Sequence, residues 1–306
     1  MITRRELLLA TASTLAAGSL APWSGAIAGS RSLLRKPIPS SGEYLPVIGM
    51  GTWQTFHVDD DADERAPLRE VLRVFFDRGG TLIDSSPMYA QAEEVAGELV
   101  AELGEHERLF AATKVWTDGR DEGIEQMERS FRRMRVERMD LMQIHNLRDW
   151  RAHLPTLREW QQHGRVRYIG ITTSNTAQYE AFAALMRSET LDFVQFNYNI
   201  GMRSAEQELL PLAAERGMAV LVNRPFGGGD LFPRVRGQKL PAWAAEFDCE
   251  SWAQFFLKFV VSHPAVTCAI PATSNPRHAA DNMGAGFGRL PDARMRARMA
   301  RYVDEL

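Results

Sequence analysis

Short apolar runs alternate along this chain with longer segments in which apolar residues recur every three to four positions. The runs have the length of buried strands, about four to eight residues, whereas the longer segments have the period of amphipathic helices. The apolar runs lie at residues 47–53, 81–84, 109–114, 139–145, 167–172, 193–197, 219–223 and 266–270. Strands that alternate with helices favour a parallel sheet, so these units predict a single-domain α/β fold, the (β/α)8 TIM barrel.

The helical segments interleave charged residues with Leu, Val, Phe and Met, as expected of an outer ring around a barrel. The predicted helices lie at 67–78, 92–103, 122–134, 154–163, 177–187, 205–216, 251–262 and 276–283, with a basic terminal helix at 291–306. The acidic stretch at 59–64 is predicted to be a solvated lead into the first helix, and cation binding is its alternative.

Two segments precede the predicted barrel, which spans 45–306. Arg4 and Arg5, an almost uncharged stretch and then Ala26-Ile27-Ala28 fit a twin-arginine signal peptide over 1–28; an uncleaved amphipathic helix is the alternative. Residues 29–44 are predicted to be a linker or an N-terminal hairpin that caps the barrel bottom. The signal predicts the twin-arginine export machinery as a partner and a periplasmic or other extracytoplasmic location.

Composition narrows the range of partners. The formal net charge of -3 gives no electrostatic reason for nucleic-acid binding. No segment after the signal is long and apolar enough to predict stable membrane insertion. The two cysteines, Cys249 and Cys268, form no metal or redox motif; a disulfide between them is the alternative to free thiols. No metal site is predicted.

Asp84, Tyr89, Lys114 and His145 stand at or just past the ends of three successive predicted strands, which lie roughly thirty residues apart, one βα unit each. The carboxyl ends of barrel strands meet at one mouth, where catalytic groups collect. The pKa of a free tyrosine is near 10, and a nearby ammonium lowers it. At about 4 Å and an effective dielectric of about 20, such a charge pair is worth roughly 4 kcal/mol. We therefore expect Lys114, held by Asp84, to lower the pKa of Tyr89, and His145 to orient a substrate carbonyl.

These residues and the motifs around them resemble the aldo-keto reductase family. The matching stretches are Gly51-Thr52-Trp53, Asp84-x4-Tyr89, Ala112-Thr113-Lys114-Val115-Trp116, Gln143-Ile144-His145-Asn146, Tyr168-Ile169-Gly170-Ile171, Gln195-x-Asn197-Tyr198 and Ile270-Pro271-x-Thr273-Ser274-Asn275-Pro276. The resemblance covers most of the chain. It implies a nicotinamide cofactor bound without a Rossmann domain, and Asp84, Tyr89, Lys114 and His145 as the catalytic residues. The implied activity is NAD(P)-dependent interconversion of an aldehyde or ketone and its alcohol.

Phosphate groups in such barrels usually bind after strands seven and eight, where Phe226 and Gly227 and then Thr273 and Ser274 lie. The family pattern extends the cofactor-binding candidates to Gly51, Thr52, Trp53, Thr172, Thr173, Gln195, Asn223, Arg224, Phe226, Gly227, Pro271, Thr273, Ser274, Arg277, His278 and Asn282.

The chain departs from that pattern in three places. Thr172-Thr173 replaces the usual Ser-Asn, and Asn223 replaces the aromatic residue that stacks on the nicotinamide. The family binds the 2′-phosphate of NADP with a Lys and an Arg, and Ala272 and His278 occupy those two positions in this chain. Arg277 and Arg224 are the candidate substitutes. NADP(H) is favoured as the cofactor, and NAD(H) is the alternative.

The predicted wall of the substrate pocket consists of Trp53, Met88, Trp116 and Asn146. Two other functions stay open. Lys114 could act as a Schiff-base nucleophile. Alternatively, the barrel could be a non-catalytic nicotinamide-binding sensor or partner subunit, which the departures at Thr172-Thr173 and Asn223 would suit. The expected substrate is a small carbonyl compound.

Overall fold

Eight parallel strands form a barrel in the computed structural model of the protein, which describes residues 32–306. The barrel strands are β3 (Met50–Gly51), β4 (Leu82–Asp84), β5 (Phe110–Val115), β6 (Met139–His145), β7 (Val166–Thr172), β8 (Phe193–Asn197), β9 (Ala219–Asn223) and β10 (Cys268–Ala269). Each strand pairs with the next one along the chain, and the bridges Ile48↔Ala269 and Gly51↔Ala272 close the ring. The predicted (β/α)8 fold is confirmed. The predicted signal at 1–28 lies outside the described residues.

The first and last barrel strands pair over a shorter length than their apolar runs predict. Only two residues each of β3 and β10 lie in the ladder. The strands come close where Gly51 faces Ile270, because a Cβ on Gly51 would lie 2.9 Å from the Ile270 carbonyl oxygen. Glycine is therefore required at the seam that closes the barrel.

The helices surround the barrel, and most of them follow a strand. Their bounds are α1 (Ala62–Asp77), α2 (Ala92–Leu103), α3 (Arg120–Arg133), α4 (Trp150–Gln162), α5 (Tyr179–Ser188), α6 (Leu209–Glu215), α7 (Leu231–Arg234), α8 (Trp252–Val261), α9 (Pro276–Gly284) and α10 (Ala293–Asp304). No helix within residues 32–306 combines the length and hydropathy needed to cross a bilayer. Cys249 and Cys268 are both buried free thiols.

Helix α1 begins at Ala62, so the prediction that residues 59–64 form a loop before a helix at 67 is wrong. The Asp61 side chain caps the helix by accepting hydrogen bonds from the backbone N–H groups of Asp63 and Glu64. Asp63 and Glu64 therefore lie in the first turn, where their charges complement the helix dipole. Within the described residues, no group of three or more His, Cys, Asp or Glu is arranged to hold a metal ion.

An antiparallel hairpin precedes the barrel and consists of β1 (Arg35–Pro37) and β2 (Tyr44–Pro46). Ile38 and Leu45 are buried in the same apolar cluster as Leu82 and Phe110, which are the first residues of β4 and β5. The hairpin thus covers the end of the barrel at which the strands begin. The polar residues described next lie at the opposite end of the barrel, where the strands terminate.

Candidate active site

The ends of β4 and β5 bring a buried ion pair to the mouth of the barrel. Asp84 ends β4, and Lys114 lies on β5, with both side chains almost completely buried. Lys114 Nζ donates hydrogen bonds to Asp84 Oδ2 and to the Ser85 carbonyl oxygen, each over 2.6 Å. Gln143 Nε2 donates to the other oxygen of Asp84 over 3.2 Å. Each partner therefore compensates the other's charge in a place that excludes water.

Tyr89 lies against this pair, and His145 completes the group. Lys114 Nζ is 5.3 Å from the centre of the Tyr89 ring. The rings of Tyr89 and His145 meet edge to face, with 5.9 Å between their centres. The structure thus brings together all four residues that the sequence singles out as catalytic candidates.

The expected lowering of the Tyr89 pKa is not found in the protein alone. Burial raises the pKa of the Tyr89 phenol above its usual value, and the opposing effect of the Lys114 charge does not overcome burial. Burial also acts to lower the pKa of Lys114, but the charges of Asp84 and Tyr89 raise it, and it ends above its usual value. Tyr89 therefore holds its proton and Lys114 is charged at neutral pH, which makes Tyr89 available as a proton donor.

His145 is neutral and has a defined tautomer. Burial and the nearby Lys114 charge lower the pKa of His145 to about 3. Its Nδ1 atom lies 3.0 Å from Ser86 Oγ, and that same oxygen accepts a hydrogen bond from the Met88 backbone N–H. Among the described residues, Nδ1 is the only acceptor within reach of the buried Ser86 hydroxyl. The hydroxyl therefore donates to Nδ1, which places the ring hydrogen on Nε2.

A cavity of about 420 Å³ opens over these residues. Asp84, Tyr89 and His145 line it, and so do many of the predicted ligand-binding residues. The predicted residues that line it are Gly51, Thr52, Trp53, Met88, Asn146, Gln195, Asn223, Arg224, Phe226 and Pro271.

Two side-chain amides on the cavity wall each leave one polar atom without a partner among the described residues. Gln195 Oε1 accepts a hydrogen bond from Thr172 Oγ1 over 2.7 Å, and Gln195 Nε2 is free. Asn223 Nδ2 donates to the Thr173 carbonyl oxygen over 3.3 Å, and Asn223 Oδ1 is free. One free donor and one free acceptor complement a carboxamide, which has one of each. The wall therefore fits the carboxamide of a nicotinamide.

Several predicted residues do not line the cavity. Thr172 and Thr173 lie behind it, where they hold the two amides. Trp116 packs under the Arg148 guanidinium, whose carbon lies 5.0 Å from the centre of the Trp116 ring. The prediction that Trp116 forms part of the pocket wall is therefore wrong. The remaining predicted cofactor-binding residues outside the lining are Gly227, Thr273, Ser274, Arg277, His278 and Asn282.

Three of these last residues, Arg277, His278 and Asn282, lie in helix α9. Asn275 caps the helix by accepting a hydrogen bond from the Arg277 backbone N–H over 2.9 Å. Arg277 and His278 therefore lie in its first turn, where backbone N–H groups and the helix dipole favour an anion. Asn282 is buried farther along α9.

The sequence prediction missed Ser86, Ser174 and Phe232. Ser86 lies between two predicted catalytic residues, and Ser174 follows the predicted pair Thr172-Thr173, so position relative to a strand end could have indicated both. Phe232 lines the cavity from α7, well beyond the end of β9, and pairs with Phe226 at 5.0 Å between ring centres. No local pattern in the sequence indicates that contact.

Comparison with known proteins gives one consistent result. The family model described as "Aldo/keto reductase family" matches residues 47–300. The chain is 29% identical to the methylglyoxal reductase YeaE of Escherichia coli over 260 residues, which is 81% of this chain and 88% of that one.

Two solved structures have a similar fold. An aldo-keto reductase from Klebsiella pneumoniae in complex with NADPH is 24% identical and has a TM-score of 0.71, covering 89% of this chain and 95% of that one. The holo form of the aldo-keto reductase AKR11C1 from Bacillus halodurans is 19% identical and has a TM-score of 0.73, covering 89% and 96% of the two chains.

Proposed function

Because the chain belongs to the aldo/keto reductase family, we propose that it interconverts an aldehyde or ketone and its alcohol with NADP(H). The observation that carries this proposal is the contact of Tyr89 with both the buried Lys114–Asp84 pair and the neutral His145 on one cavity wall. NAD(H) is the alternative cofactor. The NADPH complex of the Klebsiella pneumoniae reductase supports the preference for NADP(H).

The cofactor would be held at two places. Gln195 and Asn223 would bind the carboxamide through their free atoms, and the backbone of 227–229 together with the first turn of α9 would bind phosphate groups. When bound, the reduced nicotinamide supplies the hydride that reduces the carbonyl carbon.

The protein's own residues supply the proton and the orientation. His145 Nε2–H donates a hydrogen bond to the carbonyl oxygen and places that oxygen beside the Tyr89 hydroxyl. Tyr89 then donates its proton, and the Lys114 ammonium stabilises the phenolate that forms. Asp84 holds Lys114 in position and keeps it charged. A charged, fully buried lysine with two hydrogen-bonded oxygens is poorly suited to nucleophilic attack, which disfavours the Schiff-base alternative.

The test is the substitution Tyr89→Phe. We expect turnover to fall by a factor of about 10² or more, because a positioned general acid contributes 10²–10⁴. Cofactor affinity, measured by fluorescence titration, should stay close to that of the wild type. Tyr302→Phe is the matched control, because Tyr302 packs on Trp252 away from the cavity. Equal losses of turnover and cofactor binding would refute the general-acid role. A wild-type protein that binds cofactor but reduces no aldehyde would favour the non-catalytic sensor or partner subunit.

We further propose that residues 1–28 direct the protein through the twin-arginine route to an extracytoplasmic compartment. Arg4, Arg5 and the small residues Ala26 and Ala28 support this proposal. Such a route carries proteins that have already folded in the cytoplasm. A tightly bound cofactor would therefore leave the cytoplasm together with the protein.

A further inference from the structure

Arg224 is a cation at the mouth of the cavity without a counter-ion among residues 32–306. It follows β9, and its guanidinium carbon lies 5.2 Å from the centre of the Trp53 ring, across the mouth. Asp84 is the only acidic residue among the described residues of the cavity wall, and Lys114 already pairs with it. The positive charge of Arg224 therefore faces a cavity that offers it no anion.

The backbone holds Arg224 in an unusual conformation. Its φ of 47° lies in the left-handed region, which a non-glycine residue adopts only at a cost. The Arg224 carbonyl oxygen accepts hydrogen bonds from Asn199 Nδ2 over 3.1 Å and from the Gly227 backbone N–H over 2.9 Å. Strained residues held in this way are concentrated at ligand-binding and active sites. The loop thus fixes the direction in which this side chain leaves the strand.

The contact with Trp53 leaves the guanidinium free to bind a ligand. Cation–π contacts at exposed positions are weak, and both Arg224 and Trp53 are exposed. A carboxylate, in contrast, can accept two parallel hydrogen bonds from a guanidinium. An anion entering the mouth would therefore displace the indole or bind beside it.

Position favours the substrate as the source of that anion. Gln195 and Asn223 account for a carboxamide, and the amides of 227–229 and α9 account for phosphates. Arg224 instead leans towards Trp53, just past the end of β3, and both residues line the same cavity as Tyr89. Burial raises the pKa of that hydroxyl, and Arg224 is among the charges that act to lower it. A substrate whose carbonyl oxygen lies at Tyr89 would extend towards the guanidinium.

We propose that Arg224 binds a carboxylate carried by the substrate, so that the substrates are small oxo acids with an aldehyde or ketone group separated from the carboxylate by a few carbons. This proposal rests on the proposed carbonyl reduction. It gives Arg224 a role in substrate selection in place of the cofactor role expected from the sequence.

The test compares two four-carbon aldehydes, 4-oxobutanoate and butanal, with saturating cofactor. We expect the wild type to prefer the carboxylated aldehyde in kcat/KM, and Arg224→Gln to reduce that preference at least tenfold. Arg224→Lys should restore part of it, and added salt should weaken it in the wild type. Arg236→Gln is the matched control, because it removes an exposed charge from the segment between α7 and α8, outside the cavity wall.

A second measurement does not depend on turnover. Butyrate binding, followed by tryptophan fluorescence because Trp53 lies beside Arg224, should be at least tenfold weaker in Arg224→Gln. An unchanged aldehyde preference together with unchanged butyrate affinity would overturn the proposal. Equal losses for both aldehydes, with cofactor binding weakened tenfold or more, would assign Arg224 to the cofactor and also overturn it. A wild type that binds butyrate through Arg224 but reduces neither aldehyde would refute the carbonyl reduction and leave the carboxylate site standing.

Discussion

Ser86 determines which nitrogen of His145 carries the hydrogen that a substrate would meet. Its hydroxyl is held from one side by the Met88 N–H and turned towards Nδ1 of His145. Because His145 is buried and neutral, its two tautomers would otherwise compete. Ser86 is thus a positioning residue, which acts on the substrate only through the imidazole.

Replacing Ser86 by Ala should allow the other tautomer of His145. We expect kcat to fall about tenfold, because a lost hydrogen bond of roughly 1.4 kcal/mol corresponds to that factor. The measurement is the pair of imidazole 15N shifts of His145 together with the kinetics, and Ser86→Thr should recover both. If kcat falls while the 15N shifts still report hydrogen on Nε2 alone, Ser86 does not act through the tautomer.

At the scale of single residues, the sequence predicts those catalytic groups whose role follows from the residue type alone. Asp84, Tyr89, Lys114 and His145 follow from strand ends and residue type. The effect of burial on the Tyr89 pKa, the tautomer of His145 and the free atoms of Gln195 and Asn223 depend on three-dimensional packing. These details could not be predicted from the sequence, because each depends on residues that lie far apart in the chain and meet only in the folded protein.

Among the elements, the β1–β2 hairpin is joined to the rest of the fold in part by Lys36, a half-buried cation. Lys36 Nζ donates to the carbonyl oxygens of Val261, His263 and Val266, over 2.8, 2.8 and 2.7 Å. These carbonyls lie at and beyond the end of α8, where the helix dipole favours positive charge. Burial and the charge of Arg296 lower the pKa of Lys36 to about 8.

Lys36→Met should therefore destabilise the protein although it keeps most of the side-chain volume. We expect a loss of about 1–3 kcal/mol in the free energy of unfolding, because buried carbonyl acceptors lose a charged donor. The measurement is the urea midpoint at unchanged slope. Arg35→Met is the control, since Arg35 is exposed and makes one long hydrogen bond to Tyr44. Similar midpoints for the two variants would contradict this role of Lys36.

The positions of helix starts show where sequence patterns mislead. A proline near the beginning of a helical pattern usually marks its first turn, which placed the start of α1 at Pro67. The true start is the cap at Asp61, and α4 likewise begins at Trp150, before Pro155. Strands β6, β8 and β9 were predicted with their observed bounds, because their apolar residues are buried and a polar residue ends each strand.

For the whole molecule, the twin-arginine proposal leads to a direct prediction. Replacing both Arg4 and Arg5 by Lys in the full-length chain should leave the protein in the cytoplasm, because the paired arginines are what the export machinery would recognise. Cell fractionation with a specific antibody measures this. The variant with Arg31→Lys and Arg35→Lys is the control and should be exported normally. Retention of both variants, or export of both, would contradict a signal at residues 1–28.

The closing seam of the barrel constrains the order of events during synthesis. The Lys36 hydrogen bond to Val266 joins residues 230 positions apart, and the β3–β10 bridges join the same two regions. A growing chain cannot complete these contacts until almost all of it has left the ribosome. Contacts of such high sequence separation also form slowly. Until then, the apolar inner edges of β3 and β9 are unpaired, so the nascent chain should depend on chaperones most strongly just before β10 emerges.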